Sequence, residues 1–374
     1  MHVLTDRRQR LLAAVLISLA VAIVAHASYS HQPPGGMSDF DQVWIAANAV
    51  RHGADPYAAL RATGWPFPLY YPMTAAVIAM PFVLFPIAWA RLLFFATGAG
   101  ILAWTFGAVP HRRWAFFSGS FLDAFALAQW SPFLTGSIEL PAFLAGAVLT
   151  AKPTVGLALA VAFFLPITRR TWFALAGALT TVVISLILTP SWPSNFIAAT
   201  RNSPHIVSPV TLLPLGPIIL LALLRWRRPE ARLLACLAVI PQTFVSYSTV
   251  PLFLVPKARR ETLLLVLLAD LVYGINSLLL PLAGIRSESL AARVHMEAQP
   301  ILALLYIPCL VMVLRRPNHN TDGSSWSTNS KGSPLHSQTN QDSLGEVADR
   351  SLASQRVRKL SAASAWRMYP DLID

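Results

Sequence analysis

The sequence predicts an all-α membrane protein, a polytopic transmembrane helical bundle of about 10–12 spans. Three observations predict it. Of the 374 residues, 55% are hydrophobic and only 12% are charged, about half the charged share of a soluble globular chain. The mean hydropathy of +0.54 is more than one soluble core can absorb. Many apolar stretches rich in Leu, Ala and Ile exceed about 17 residues, whereas an outer-membrane barrel shows short alternating segments.

The formal net charge of +12 does not point to nucleic acid. Basic residues fall in short clusters between apolar runs and form no stripe interleaved with aromatics, so membrane topology explains them. Cys236 and Cys309 lie inside apolar runs without metal-ligand spacing and read as packing residues.

Arg7, Arg8 and Arg10 precede the apolar run 11–27, which makes the N-terminus cytoplasmic and delivers residues 31–69 to the outer face. A cleaved signal peptide is the rival reading; the length of the apolar run favours a retained span. The outer segment begins as a loop at 31–37, HQPPGGM. Ser38 with Asp41 three residues on is close to a capping box and Gly53 suits a stop, so a helix is predicted over 39–52. On a wheel of about 100° per residue, Phe40, Val43, Trp44, Ala47 and Arg51 share a face suited to the membrane interface. Asp39 and Asp41 flank that stripe on opposite sides, so only one of them faces a given cavity. Asp55-Pro56-Tyr57, Trp65-Pro66-Phe67-Pro68, Tyr70 and Tyr71 read as aromatic residues at headgroup depth.

Residues 70–109 suggest two spans turning near Pro86 to Arg91, the only charge in the stretch. A polar gap at His111 to Trp114 is followed by apolar runs at 115–130, 132–149, 153–167 and 172–189. Arg169 and Arg170 belong in the cytoplasm, and alternation then places Lys152 outside with Asp39 and Gln129 inside. Alternation also puts Arg112 and Arg113 outside, against the charge rule. A re-entrant hairpin at 130–150, with an odd number of crossings in 70–109, removes that conflict. Residues 190–209 form a second outer polar stretch. Arg225, Arg227, Arg228 and Arg232, then Lys257, Arg259 and Arg260, return the chain to the cytoplasm, with Pro241, Pro251 and Pro256 leaving short helices between. Spans at 262–282 and 300–314 enclose an outer loop at 285–299 and end at Arg315 and Arg316 inside. The membrane-embedded domain is thus 1–316. Residues 317–374, rich in Ser, Asn, Gln and Asp, read as a disordered cytoplasmic tail with a weakly lipid-binding basic stretch at 356–360.

An ordered set of motifs runs through this profile. Asp39-Phe40, Trp44, Ala46-Ala47, Gly53, Asp55-Pro56-Tyr57, Tyr71-Pro72 and Pro81 come first. Gln129 with Ser131-Pro132, Ala145-Gly146, Lys152-Pro153 and Arg169-Arg170-Thr171-Trp172 follow. Together, over roughly residues 11–190, they resemble glycosyltransferase family 87. The resemblance implies a multi-span enzyme of the glycosyltransferase C superfamily, with a catalytic carboxylate in its first outer loop at the position of Asp39. It implies transfer of a sugar, typically mannose, from a polyprenyl-phosphate donor with inversion at the anomeric carbon. The sequence departs from the pattern in two places. The stretch between Gln129 and Lys152 is shorter by about one helix, and Ala128 stands where the family has glycine before Gln129.

Such a transfer needs a base for the acceptor hydroxyl, and a carboxylate beside the membrane surface supplies one. Asp39 is the expected base and Asp41 the alternative, although Asp41 is also the capping-box partner. Lys152, Arg201 and His205 are the outer-side candidates for the donor phosphate, and Gln129 for a sugar hydroxyl. A lysine at bilayer depth costs about 2.5–3.5 kcal/mol, which calls for a partner or a route to water. No cofactor is called for, because the chain has neither a phosphate-binding G-x-x-x-x-G-K-[ST] loop nor a dinucleotide fingerprint. A single cation on Asp39 is the one metal arrangement left open. The expected partners are the lipid bilayer, a polyprenyl-phosphate sugar donor and a glycan or glycolipid acceptor. The expected location is the plasma (inner) membrane, with both termini cytoplasmic and the active site outside. Two other readings stand beside this one. Asp123, Glu139 and Asp270 in apolar runs, with proline-broken helices, suit a transporter or lipid flippase. The shortened stretch before Lys152 suits a family member that has lost catalysis.

Overall fold

Helices make up most of the computed structural model, which describes residues 2–30, 38–65, 67–201, 203, 206–243, 245–279 and 290–316. The loop expected at 31–37, Pro66, His205, residues 285–289 of the last loop, and the tail expected at 317–374 with its basic stretch 356–360 lie outside the described residues.

Helix α1 (His2–Ser30) turns Leu12, Leu16, Leu19 and Ile23 outward. Helix α2 (Asp39–Arg51) starts as the capping chemistry predicts, for Asp41 accepts hydrogen bonds from the Ser38 N–H at 2.7 Å and the Ser38 hydroxyl at 2.9 Å. Its apolar stripe does not lie on a membrane surface. Phe40, Val43 and Ala47 are buried in protein, and Phe40 stacks on Phe94 with ring centroids 4.2 Å apart. A helical wheel identifies an apolar face without saying whether lipid or protein covers it.

Asp55 caps the Tyr57 N–H at the start of α3 (Pro56–Ala62). Helix α4 (Met73–Ala79) continues into a 3-10 turn, Met80–Leu84, and the chain breaks at Pro86 before α5 (Ile87–Phe106). Arg91 is therefore not in the turn but inside α5, where it is buried. The Ser18 hydroxyl of α1 donates to the Ala96 carbonyl of α5 at 2.8 Å.

After α5 the expected spans are interrupted. A 3-10 segment, Pro110–Phe117, and α6 (Gly119–Ala126) occupy the run predicted at 115–130. Helices α7 (Ser131–Ser137) and α8 (Ala142–Leu149) occupy that at 132–149. Pro132 sits in the first turn of α7 and Pro141 immediately before α8, positions that start helices and cannot continue one. Helices of seven or eight residues rise about 12 Å, well short of a hydrocarbon core of about 30 Å. Helices α9 (Pro153–Phe164) and α10 (Arg169–Leu188) follow. Gly146 of α8 and Gly177 of α10 let these helices meet backbone to backbone; a Cβ at Gly146 would lie 1.8 Å from the Ala174 carbonyl oxygen.

Helix α11 (Trp192–Arg201) leads to strand β1 (Ile206–Val207). A 3-10 helix, Gly216–Arg225, precedes α12 (Pro229–Val239) and strand β2 (Gln242–Thr243). The two strands pair antiparallel, with Ile206 opposite Thr243, a small departure from an all-α chain. A 3-10 helix, Ser246–Leu254, α13 (Arg259–Gly274), α14 (Leu290–Ile301), a π-helical turn (Leu302–Tyr306) and α15 (Ile307–Leu314) complete the described chain. Arg112, expected in a polar gap, is buried and donates to the Leu254 and Pro256 carbonyls.

Among the described residues, four segments are long and apolar enough to cross a membrane: 6–28, 87–106, 169–188 and 296–314. Three shorter apolar helices, at 73–84, 153–164 and 216–225, accompany them. Among the described residues, prolines divide several of the apolar runs expected as spans into shorter helices.

Candidate active site

The site forms where the start of α2 meets the turn between α6 and α7. The Asp39 N–H donates to the Leu127 carbonyl at 3.0 Å, fixing the first residue of α2 to the end of α6. That end is a Schellman closure: the Ala128 N–H bonds to the Phe125 carbonyl and the Gln129 N–H to the Ala124 carbonyl. Ala128 occupies the left-handed position of the closure at φ 46°, where glycine is the ordinary residue. The turn swings the Gln129 side chain towards Asp39.

Four polar side chains then form one line. Gln42, one turn along α2, donates its Nε2 to Asp39 Oδ1 at 3.3 Å. Gln129 donates its Nε2 to Asp39 Oδ2. The Oε1 of Gln129 accepts from Lys152 Nζ at 3.2 Å. The order is amide, carboxylate, amide, ammonium. Lys152 is held at the α8–α9 junction with Nζ 4.7 Å from the Tyr247 ring centroid and 5.8 Å from that of Tyr71. These faces offset part of its lost hydration. Tyr247 is placed in turn by its N–H, which donates to Asp123 Oδ2 at 3.0 Å.

The line borders a cavity of about 350 Å³ whose walls include Asp39, Gln42, Tyr70, Lys152, Thr154 and Glu297. Beyond Pro153, which borders both spaces, lies an almost wholly apolar groove of about 560 Å³ between α8, α9 and α10, with Trp192 also in its lining. Burial raises the Asp39 carboxyl above its ordinary range, with the Lys152 charge and the Gln129 hydrogen bond opposing the shift. Burial lowers the Lys152 ammonium to about 8, with Asp39 opposing. Both groups lie outside the four long spans. Four buried polar atoms of residues on the cavity wall, Gln42 Oε1, Trp65 Nε1, Thr154 Oγ1 and Gln242 Oε1, have no hydrogen-bond partner among the described residues. Each such atom costs on the order of 1–3 kcal/mol.

Asp39, Gln129 and Lys152 are thus brought together. The position of Gln129 corrects the expectation from alternation, which set it on the opposite side from Asp39. Helices α6 and α7 are too short to cross, so counting them as spans inverts everything between. Asp41 points away from the cavity into a buried ion pair, accepting from Arg91 Nε at 3.0 Å and Nη2 at 2.5 Å. Arg201, the last residue of α11, is exposed and does not line the cavity, although Phe196 and Thr200 of the same helix do. His205 lies outside the described residues.

Several site residues carry little sequence signal. Gln42 is visible only as the residue one helical turn after Asp39, and Tyr71 reads as a belt aromatic yet is buried against the site. Tyr247 and Glu297 arrive from the far half of the chain with no motif around them. Arg91 had a signal, being the only charge between residues 70 and 109. The other acids have structural partners: Asp270 accepts the Gly119 N–H at 2.7 Å and Glu139 lies 3.7 Å from Arg10. Among the described residues no group of three His, Cys, Asp or Glu side chains is arranged to hold a metal ion. Both Asp39 oxygens face amide donors, surroundings that suit a free carboxylate better than a metal ligand.

No protein-family model matches the chain, and no curated protein and no solved structure matches it either.

Proposed function

We propose that this chain is an integral membrane glycosyltransferase that moves a hexose, by the family resemblance mannose, from a polyprenyl phosphate to a hydroxyl of a lipid-linked or envelope glycan. The reaction would take place at the outer face of the plasma membrane. One observation carries the reading: a partly buried carboxylate and a partly buried ammonium, Asp39 and Lys152, border the same cavity with one glutamine between them.

The acceptor hydroxyl oxygen forms a bond to the anomeric carbon as the bond from that carbon to the phosphate oxygen breaks. Its proton passes to Asp39, and polyprenyl phosphate leaves with the electron pair. Asp39 suits the first role, since burial raises its proton affinity while Gln42 and Gln129 hold both oxygens in place. Lys152 suits the second, as a cation beside the departing phosphate with Thr154 next to it in the first turn of α9. The groove beyond Pro153 offers an apolar bed for an isoprenoid tail, and Pro153 borders both it and the polar cavity that would take the head. The transporter reading has no comparable support, because Asp123, Glu139 and Asp270 are each engaged with fixed partners.

The test is transfer of labelled hexose from a polyprenyl-phosphate donor to candidate lipid-linked acceptors by the purified protein. Donor-dependent product is expected. Absence of product with every acceptor, together with no donor hydrolysis, would reject the enzyme reading.

A further inference from the structure

We propose that Gln42 is a specificity-determining residue whose Oε1 accepts a hydrogen bond from one hydroxyl of the transferred hexose. The inference rests on the glycosyltransferase reading of the same cavity and deepens it by naming what reads the sugar.

Gln42 is 3% exposed and borders the cavity. Its amide orientation is dictated by chemistry, since turning it over would set its oxygen against the Asp39 carboxylate. With Nε2 committed to Asp39, Oε1 is an acceptor held in one direction without a donor among the described residues. The order along the wall then determines which part of a ligand meets it. Lys152 stands at one end of the line, three groups away from the buried, unpartnered oxygen of Gln42 at the other. An ionised phosphate has no proton to give an amide oxygen and belongs beside the ammonium. The group that satisfies Gln42 must be a donor, and on a sugar phosphate the donors are ring hydroxyls. Trp65, Phe67 and Tyr70 line the same cavity and supply apolar faces for the C–H side of such a ring. A cavity with an ammonium at one end of its polar line, an unpartnered acceptor at the other and aromatic flanks has the polarity of a hexosyl phosphate.

A site built to receive a hydroxyl penalises an analogue that lacks it, because the acceptor stays buried and unpaired. The experiment compares wild type and Gln42→Met, as full-length protein in nanodiscs, against a short-chain polyprenyl-phosphate mannose and its series of monodeoxy analogues. Two readouts run in parallel: product formation, and binding followed by quenching of tryptophan emission. In wild type one analogue is expected to lose about 10- to 100-fold relative to the parent sugar. In Gln42→Met that analogue and the parent are expected to become equal, while the other analogues keep their wild-type order. If Gln42→Met does not accumulate, Gln42→Asn withdraws the oxygen by one methylene and is read in the same way.

An equal loss across all sugars in Gln42→Met means that Gln42 only positions Asp39, and it overturns the inference while transfer by wild type upholds the enzyme reading. Discrimination in binding without turnover upholds the inference and overturns the enzyme reading. Neither binding nor transfer by wild type overturns both.

Discussion

Asp39 and Asp41 sit on the first turn of one helix and have opposite surroundings. Asp41 faces the bundle, fully buried, with its two oxygens taken by the guanidinium of Arg91 and by the N–H and hydroxyl of Ser38. Asp39 faces the cavity, held by two neutral amides, with its nearest cation in this line, Lys152, reached through one of them. A carboxylate in a bidentate ion pair has its oxygens already taken up by donors. A carboxylate steadied by neutral donors keeps its charge and, once desolvated, a higher proton affinity. Two acids of one helical turn are thereby divided into an anchor and a candidate base.

The largest expected effect tests that division directly. Asp39→Asn keeps the shape of the side chain and removes the base, so sugar transfer is expected to fall about 10²- to 10⁴-fold. The melting temperature should not fall, because a charge buried at some cost is being removed. Undiminished transfer would take Asp39 out of the mechanism.

Asp41 should answer in the opposite sense. Arg91→Leu leaves the Asp41 charge buried without its partner, which costs about 3–5 kcal/mol, whereas pairing it with Asp41→Leu restores part of the loss. Thermal unfolding in detergent reads both variants. Equal melting temperatures for Arg91→Leu and wild type would show that the ion pair is not the anchor of α2 on α5.

How much of this was legible in the sequence follows from the range of each signal. The helix at 39–52 and its cap were readable because capping is local, and the wheel separated the two acids before any partner was known. The partners were not readable. Arg91 is fifty residues from Asp41 in sequence, and its being the lone charge of an apolar stretch announced a pairing without naming the other half. Lys152 and Gln129 were singled out separately, yet alternation set them on opposite sides, because hydropathy cannot tell a span from two short helices separated by a break at Pro141. Tyr247 and Glu297 reach the cavity through tertiary packing alone. The burial of Phe40 likewise depends on Phe94, which no wheel of α2 contains.

The third test concerns the cation at the end of the line. Lys152 binds an anion only when protonated, and burial brings its titration down to about 8. Transfer by wild type should therefore decline as pH rises through about 8. At the acid end it should decline as Asp39 takes up its proton, above the ordinary carboxylate value of 3.8 because burial raises it. Lys152→Met should remove the alkaline decline and lower kcat/KM by about 10- to 100-fold, the loss of one charge-assisted hydrogen bond. An alkaline limb unchanged in that variant would assign it to another group.

The smallest effect concerns how Gln129 reaches the carboxylate at all. Ala128 holds the left-handed position that closes α6, a conformation that costs an L-residue with a Cβ about 1–2 kcal/mol. Glycine relieves that strain but loses more chain entropy on folding, about 0.5–1 kcal/mol. Ala128→Gly should therefore stabilise the chain by at most about 1.5 kcal/mol, seen as a small rise in melting temperature, with transfer maintained because the same closure still aims Gln129 at Asp39. Ala128→Val should lower both together, since a β-branched residue resists positive φ and opening the closure would withdraw Gln129 from Asp39 while leaving the Asp41–Arg91 pair intact. If Ala128→Val kept full transfer, Gln129 would have no part in holding the base.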